Sequence, residues 1–140
     1  MPDSELCEFD GRLYAIIVRA NFREDGVHFV TPDDAPQQVG HHYYARGKVI
    51  LPHAHQPLDV NVRRFQEVLV IKSGKLAVDF YGDDRRTVGS RLLSAGDVIV
   101  LCEGGHGFTV IEDLAMIEIK QGPFLGEAAV ARFEPAGISA

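Results

Sequence analysis

The chain has 140 residues, enough for one domain with a substantial core and too few for two. Its net charge of −6, with Arg63-Arg64 and Arg85-Arg86 as the basic pairs, speaks against wrapping a nucleic-acid backbone, where clustered cations supply the affinity. Hydrophobic content of 46%, 14 glycines and 7 prolines favour short elements joined by many turns, an all-β composition. Cys7 and Cys102 do not make a disulfide framework, which suits a reducing compartment. The start, MPDSELCEFDG, has neither a basic nor an apolar stretch, and no run reaches the ~18 apolar residues of a membrane span. A cytoplasmic location with no membrane partner is therefore expected.

In chain order, residues 1–11 are polar and read as a lead-in. Leu13 to Arg19, rich in β-branched and aromatic residues, predicts the first strand. A charged turn, Asn21 to Gly26, precedes a short strand at Val27 to Thr31, and His41 to Arg46 alternates as a strand should. Lys48 to Leu51 continues extended until Pro52, which cannot donate to a ladder and so puts His53-Ala54-His55 at a strand end or rim. A polar link follows, then an apolar run from Glu67 to Lys72. The turn signal Ser73-Gly74 leads into a second alternating run, Lys75 to Tyr81, so a hairpin is expected. Short strands are predicted at Arg91 to Leu93, Val98 to Leu101, Phe108 to Ile111 and Leu114 to Lys120, with Glu112-Asp113 as a reversal. Only Leu125 to Phe133 reads as a helix. So many short strands imply a sandwich or barrel.

Chemistry concentrates in Gly47 to Gly74. Side chains two apart on an extended strand point the same way, so His53 and His55 deliver two imidazoles to one spot. Glu67 can add a carboxylate if its strand folds alongside, and His106, in the glycine-rich GDVIVLCEGGHGF, can add a third nitrogen. Three imidazoles and a carboxylate suit a divalent transition metal, Fe, Mn, Ni or Zn, and leave positions open for substrate.

These residues resemble the cupin superfamily. Its first motif, G-x5-H-x-H-x3,4-E-x6-G, is matched in both fixed-length parts by Gly47, His53, His55, Glu67 and Gly74, although 11 residues separate His55 from Glu67. The second motif is matched loosely by Gly96, Gly104 and His106; Cys102 stands where proline is usual, and His106 falls one residue early. The resemblance implies a single-domain double-stranded β-helix, a jelly-roll barrel, over residues 13–122, with an N-terminal arm at 1–12 and a C-terminal tail at 123–140. It implies metal ligation by His53, His55, Glu67 and His106, and a homodimer, with Leu13 to Arg19 crossing to the other barrel.

Each of these residues has a plainer reading. His53 and His55 can be surface histidines after a proline, Glu67 a solvated charge or a group steadying a ligand histidine, and His106 a turn residue. Cys102 reads as a buried apolar filler. Phe80, Phe108 and Leu69 are expected in the core, and His41 or His42, with Tyr43 or Tyr44, can line a cavity. Glu118 and Lys120 share one face of the last strand and point either to water or into the barrel, where they would act as acid-base groups or anchor an anion.

Three functions follow. The first is a metal-dependent enzyme, an isomerase, epimerase or dioxygenase, acting on a small polar substrate such as a sugar derivative. The second is a metal-independent enzyme like the sugar-nucleotide ketoisomerases that some cupins are, with His53 or His55 as base and Tyr43 or Tyr44 polarising a carbonyl. The third is a non-catalytic barrel that binds or senses a small ligand.

Overall fold

The computed structural model describes residues 4–137, and within them the chain forms eight strands and a single 3-10 turn. The strands are β1 (Ser4–Phe9), β2 (Arg12–Val18), β3 (Gly26–Phe29), β4 (Gly40–Tyr43), β5 (Glu67–Tyr81), β6 (Thr87–Ser94), β7 (Val98–Leu101) and β8 (Gly105–Lys120); the turn is Gly126–Ala129. An all-β architecture is therefore observed. One antiparallel sheet runs β1-β2-β7-β5-β6 with β8 beside β5, while β3 and β4 pair as a separate hairpin.

The sheet curls into a half-barrel because β5 and β8 bend together. They pair along their whole lengths, from Glu67 opposite Lys120 to Tyr81 opposite Gly105, but the register slips between Ile71 and Leu76. Gly74 sits in that slip at φ 88°, and a Cβ there would run into the Asp113 carbonyl oxygen. Only glycine allows both the backbone angle and the close approach. Past the bend, Leu76, Val78 and Phe80 join Leu69 and Ile71 in one buried cluster, completed by Cys7, Tyr14, Ile17, Leu93, Ile99 and Leu101. A smaller cluster of Ile16, Val68 and Val100 lies on the opposite face, with Val30 and Val39 against it.

Asp97 secures the turn between β6 and β7. Buried itself, it accepts hydrogen bonds from the Ala20 and Ser94 amides at 2.9 and 2.8 Å and pairs with Arg19 at 3.2 Å. Arg19 also reaches Glu5 at 2.9 Å, and Glu5 holds Arg91 at 3.2 Å, so β1 is tied to β6. A buried carboxylate with this many donors is well compensated for the water it loses.

Several elements differ from the expectation. Ser4 to Phe9, read as lead-in, is strand β1; residues 1–3 and 138–140 lie outside the described residues. Ser73-Gly74 and Glu112-Asp113 lie within long bent strands and do not reverse the chain. The Leu125 to Phe133 helix reduces to Gly126–Ala129, with no side-chain cap at Leu125. Lys48 to His55 forms no strand: residues 44–66 carry no regular secondary structure, and 45–65 are exposed throughout. Phe80 and Leu69 are buried as expected, whereas Phe108 is 40% exposed because β8 lines the open side. β2 lies between β1 and β7 of its own chain. No helix among the described residues is long and apolar enough to cross a membrane.

Candidate functional site

A cavity of about 280 Å³ opens at one end of the half-barrel, and a groove runs from it along β8. Glu67, His106 and Lys120 line both, and Glu118 lines the groove. On a straight strand the twelve steps from His106 to Glu118 would span roughly 40 Å, so the bend is what brings them to one place. Register does the rest: Lys120 faces Glu67 across the strands, Glu118 faces Leu69, and His106 faces Phe80. The alternation that put Glu118 and Lys120 on one face is observed, and that face lines the groove.

The tail closes one side of this end. Phe124, Leu125, Val130 and Phe133 line the cavity, and the Phe133 ring lies edge-on to Tyr81 with centroids 5.5 Å apart. Gly105 leaves room for that ring, since a Cβ there would meet Phe133 at 2.9 Å. Sequence patterning missed these apolar tail residues. The signal available was their clustering after Pro123 in a stretch with no strand period.

The electrostatics favour one proton between two carboxyls. Burial raises Glu67 from 4.5 to about 7, and a hydrogen bond with Glu118 and the nearness of its charge act in the same sense; Lys120 opposes them. Two carboxyls share a hydrogen bond only when one is protonated, and the upward shift of Glu67 favours its carrying that proton. Burial lowers the His106 pKa, with Glu118 pulling it back up, so the neutral ring is favoured. Lys120 Nζ lies 4.0 Å from Glu118 Oε2 and supplies a cation to the groove.

The remaining residues singled out from sequence lie elsewhere. His53 and His55 are exposed in the segment between β4 and β5, with ring centroids 5.3 Å apart. His53 donates its Nδ1–H to the Leu51 carbonyl at 2.9 Å. Tyr44 is half-buried, its hydroxyl 3.5 Å from His42 Nδ1 and its ring under Lys48. His41 packs edge-on against Phe22 at 4.4 Å. Cys102 is half-buried, 3.8 Å from the Gln66 amide, with its thiol pKa raised by burial.

The four residues expected to share a metal are thus divided, Glu67 and His106 at the cavity, His53 and His55 outside it. Among the described residues no three His, Cys, Asp or Glu side chains converge as a metal set would. Comparison with family models, with curated proteins and with solved structures found no match.

Proposed function

We propose that the chain is a small cupin-like barrel enzyme that moves a proton on a small polar substrate, an isomerase or epimerase of a sugar-type molecule with a carbonyl beside a C–H bond. The observation that carries this reading is the Glu67 carboxyl, held near neutrality against Glu118 in the same groove as His106 and Lys120. A carboxyl that titrates near pH 7 is present as both acid and base, which suits proton transfer in two directions.

In this mechanism ionised Glu67 removes the proton on the carbon next to the carbonyl. The electron pair moves to the carbonyl oxygen, where the Lys120 ammonium stabilises the negative charge of the enediolate that forms. The hydroxyl proton of the enediolate passes to the former carbonyl oxygen and protonated Glu67 returns its proton to the former carbonyl carbon, which completes an isomerisation; epimerisation would instead require the proton to reach the opposite face of the original carbon. Neutral His106 orients a hydroxyl. The apolar tail residues Phe124 and Phe133 exclude water from one side.

A panel of aldoses, ketoses and hydroxy-keto acids in deuterated water tests the reading. Deuterium should enter the carbon next to the carbonyl, and Glu67→Gln should slow exchange about 100-fold or more while binding is retained. Binding without exchange over the whole panel would favour the ligand-binding alternative.

The metal reading keeps one support, the adjacent and exposed His53 and His55 rings. As the residues stand they do not form a single donor set, so a four-ligand centre of Fe, Mn, Ni or Zn requires the 44–66 segment to lie over a cavity. Metal analysis of the purified protein decides it. A stoichiometric metal lost in both His53→Ala and His106→Ala would establish the centre, and retention in both would remove it.

A further inference from the structure

We propose that residues 58–63 form an exchanged strand: in a two-fold dimer, Leu58 to Arg63 of each copy adds to the open edge of β8 in the other. The proposal does not depend on the reading of the cavity. β8 is 16 residues long, pairs only with β5 among the described residues, and leaves Val110, Ile111, Ile117 and Ile119 about half exposed. On either side of its bend, an open edge with exposed apolar side chains of this kind is a template for strand addition.

The complementary piece is in the same chain. Leu58-Asp59-Val60-Asn61-Val62-Arg63 alternates apolar and polar residues as a half-buried strand does, yet it forms no strand, and Leu58 is 81% exposed. Charge permits the pairing: Leu58 to Arg63 is neutral, with Asp59 against Arg63, and Arg64 follows it, whereas β8 carries Glu112, Asp113 and Glu118 against Lys120. Two reciprocal contacts, each burying roughly 400 Å² on either side, total about 1,600 Å², the size of a specific interface.

The tether to β5 decides between a chain's own β8 and that of a second copy. Gln66 is pinned, its amide donating to the Gln121 side chain at 2.9 Å and its Oε1 accepting from the Gln37 amide at 3.0 Å. Only Arg64 and Phe65 separate Gln66 from the 58–63 segment. To reach the far edge of its own β8 the segment would have to cross two strand spacings, ~9.5 Å, and turn within those two residues. It could then pair only parallel to β8. A second copy allows antiparallel pairing with no crossover.

The test mixes two full-length proteins, Val60→Cys and Ile117→Cys, each also carrying Cys102→Ser, after joint unfolding and refolding. The expected result is a disulfide-linked heterodimer, and sedimentation at micromolar concentration should give a dimer for the unmodified chain. Val60→Asp with Val62→Asp should raise the dissociation constant at least 100-fold; both positions are exposed in the single chain, so the variant should still unfold in one cooperative transition. A monomer at micromolar concentration would overturn the proposal, as would a dimer indifferent to the two aspartates. So would an intramolecular disulfide in a monomeric Val60→Cys, Ile117→Cys double variant.

Discussion

Glu67 links the groove to the stability of the fold through its proton. Its pKa in the folded chain, about 7, lies above its ordinary 4.5, so the native state binds the proton more tightly than the unfolded chain does. The resulting stabilisation is complete below about pH 4.5 and is lost as pH rises through 7. His106 works in the opposite sense: its pKa is lowered, so its contribution is present above the ordinary 6.5 and is lost as pH falls through the lowered value. Comparing the unmodified chain with Glu67→Gln isolates the carboxyl, because glutamine keeps a neutral donor for Glu118 at every pH. The difference in melting temperature, variant minus unmodified, should grow by a few degrees between pH 5 and pH 8. A pH-independent difference would mean that the proton is not held on Glu67.

The bend shared by β5 and β8 governs the site, and Gly74 is its most sensitive point. Gly74→Ala forces a side chain into φ 88° and against the Asp113 carbonyl, and should cost about 3 kcal/mol or more, read as a lower urea midpoint with an unchanged slope. Gly107→Ala in the same strand meets only an ordinary contact with Tyr81 at 3.4 Å and should cost less than about 1 kcal/mol. This bend is also where sequence reading stopped short. The alternation around Leu76 to Phe80 and around Glu118 and Lys120 was legible because side chains on a strand repeat every two residues. Ser73-Gly74 reads as a reversal because a glycine with positive φ serves a hairpin turn and a strand bulge equally well, and Glu112-Asp113 because a polar pair between two apolar runs marks a turn and a bulge alike. The histidine spacing was legible too, but spacing along the chain says nothing of where a 23-residue link between β4 and β5 travels. The candidate site, Glu67 with Glu118 beside His106 and Lys120, depends on pairing between residues as distant in sequence as Glu67 and Lys120.

At the scale of the whole molecule, one core joins strands from both ends of the chain, and Cys7 reports on it. Cys7 lies fully buried in β1, packed in the cluster that contains Leu69 of β5, Leu93 of β6 and Ile99 of β7. Burial raises its thiol to about 11, so at pH 8 only about one molecule in a thousand would hold a thiolate there even if a reagent could enter. Alkylation of Cys7 therefore requires β1 to leave the sheet. Because Glu5 ties β1 to Arg91 and Arg19, and Arg19 to Asp97, that release disrupts the β6–β7 turn as well, and opening should be global. Iodoacetamide labelling followed by mass spectrometry in graded urea should give a Cys7 opening energy that falls with the same slope as unfolding followed by circular dichroism. Half-buried Cys102 should label at a rate nearly independent of low urea. A shallow urea dependence for Cys7 would show β1 peeling away on its own, which would uncover the β2 edge and make the half-barrel two cooperative units instead of one.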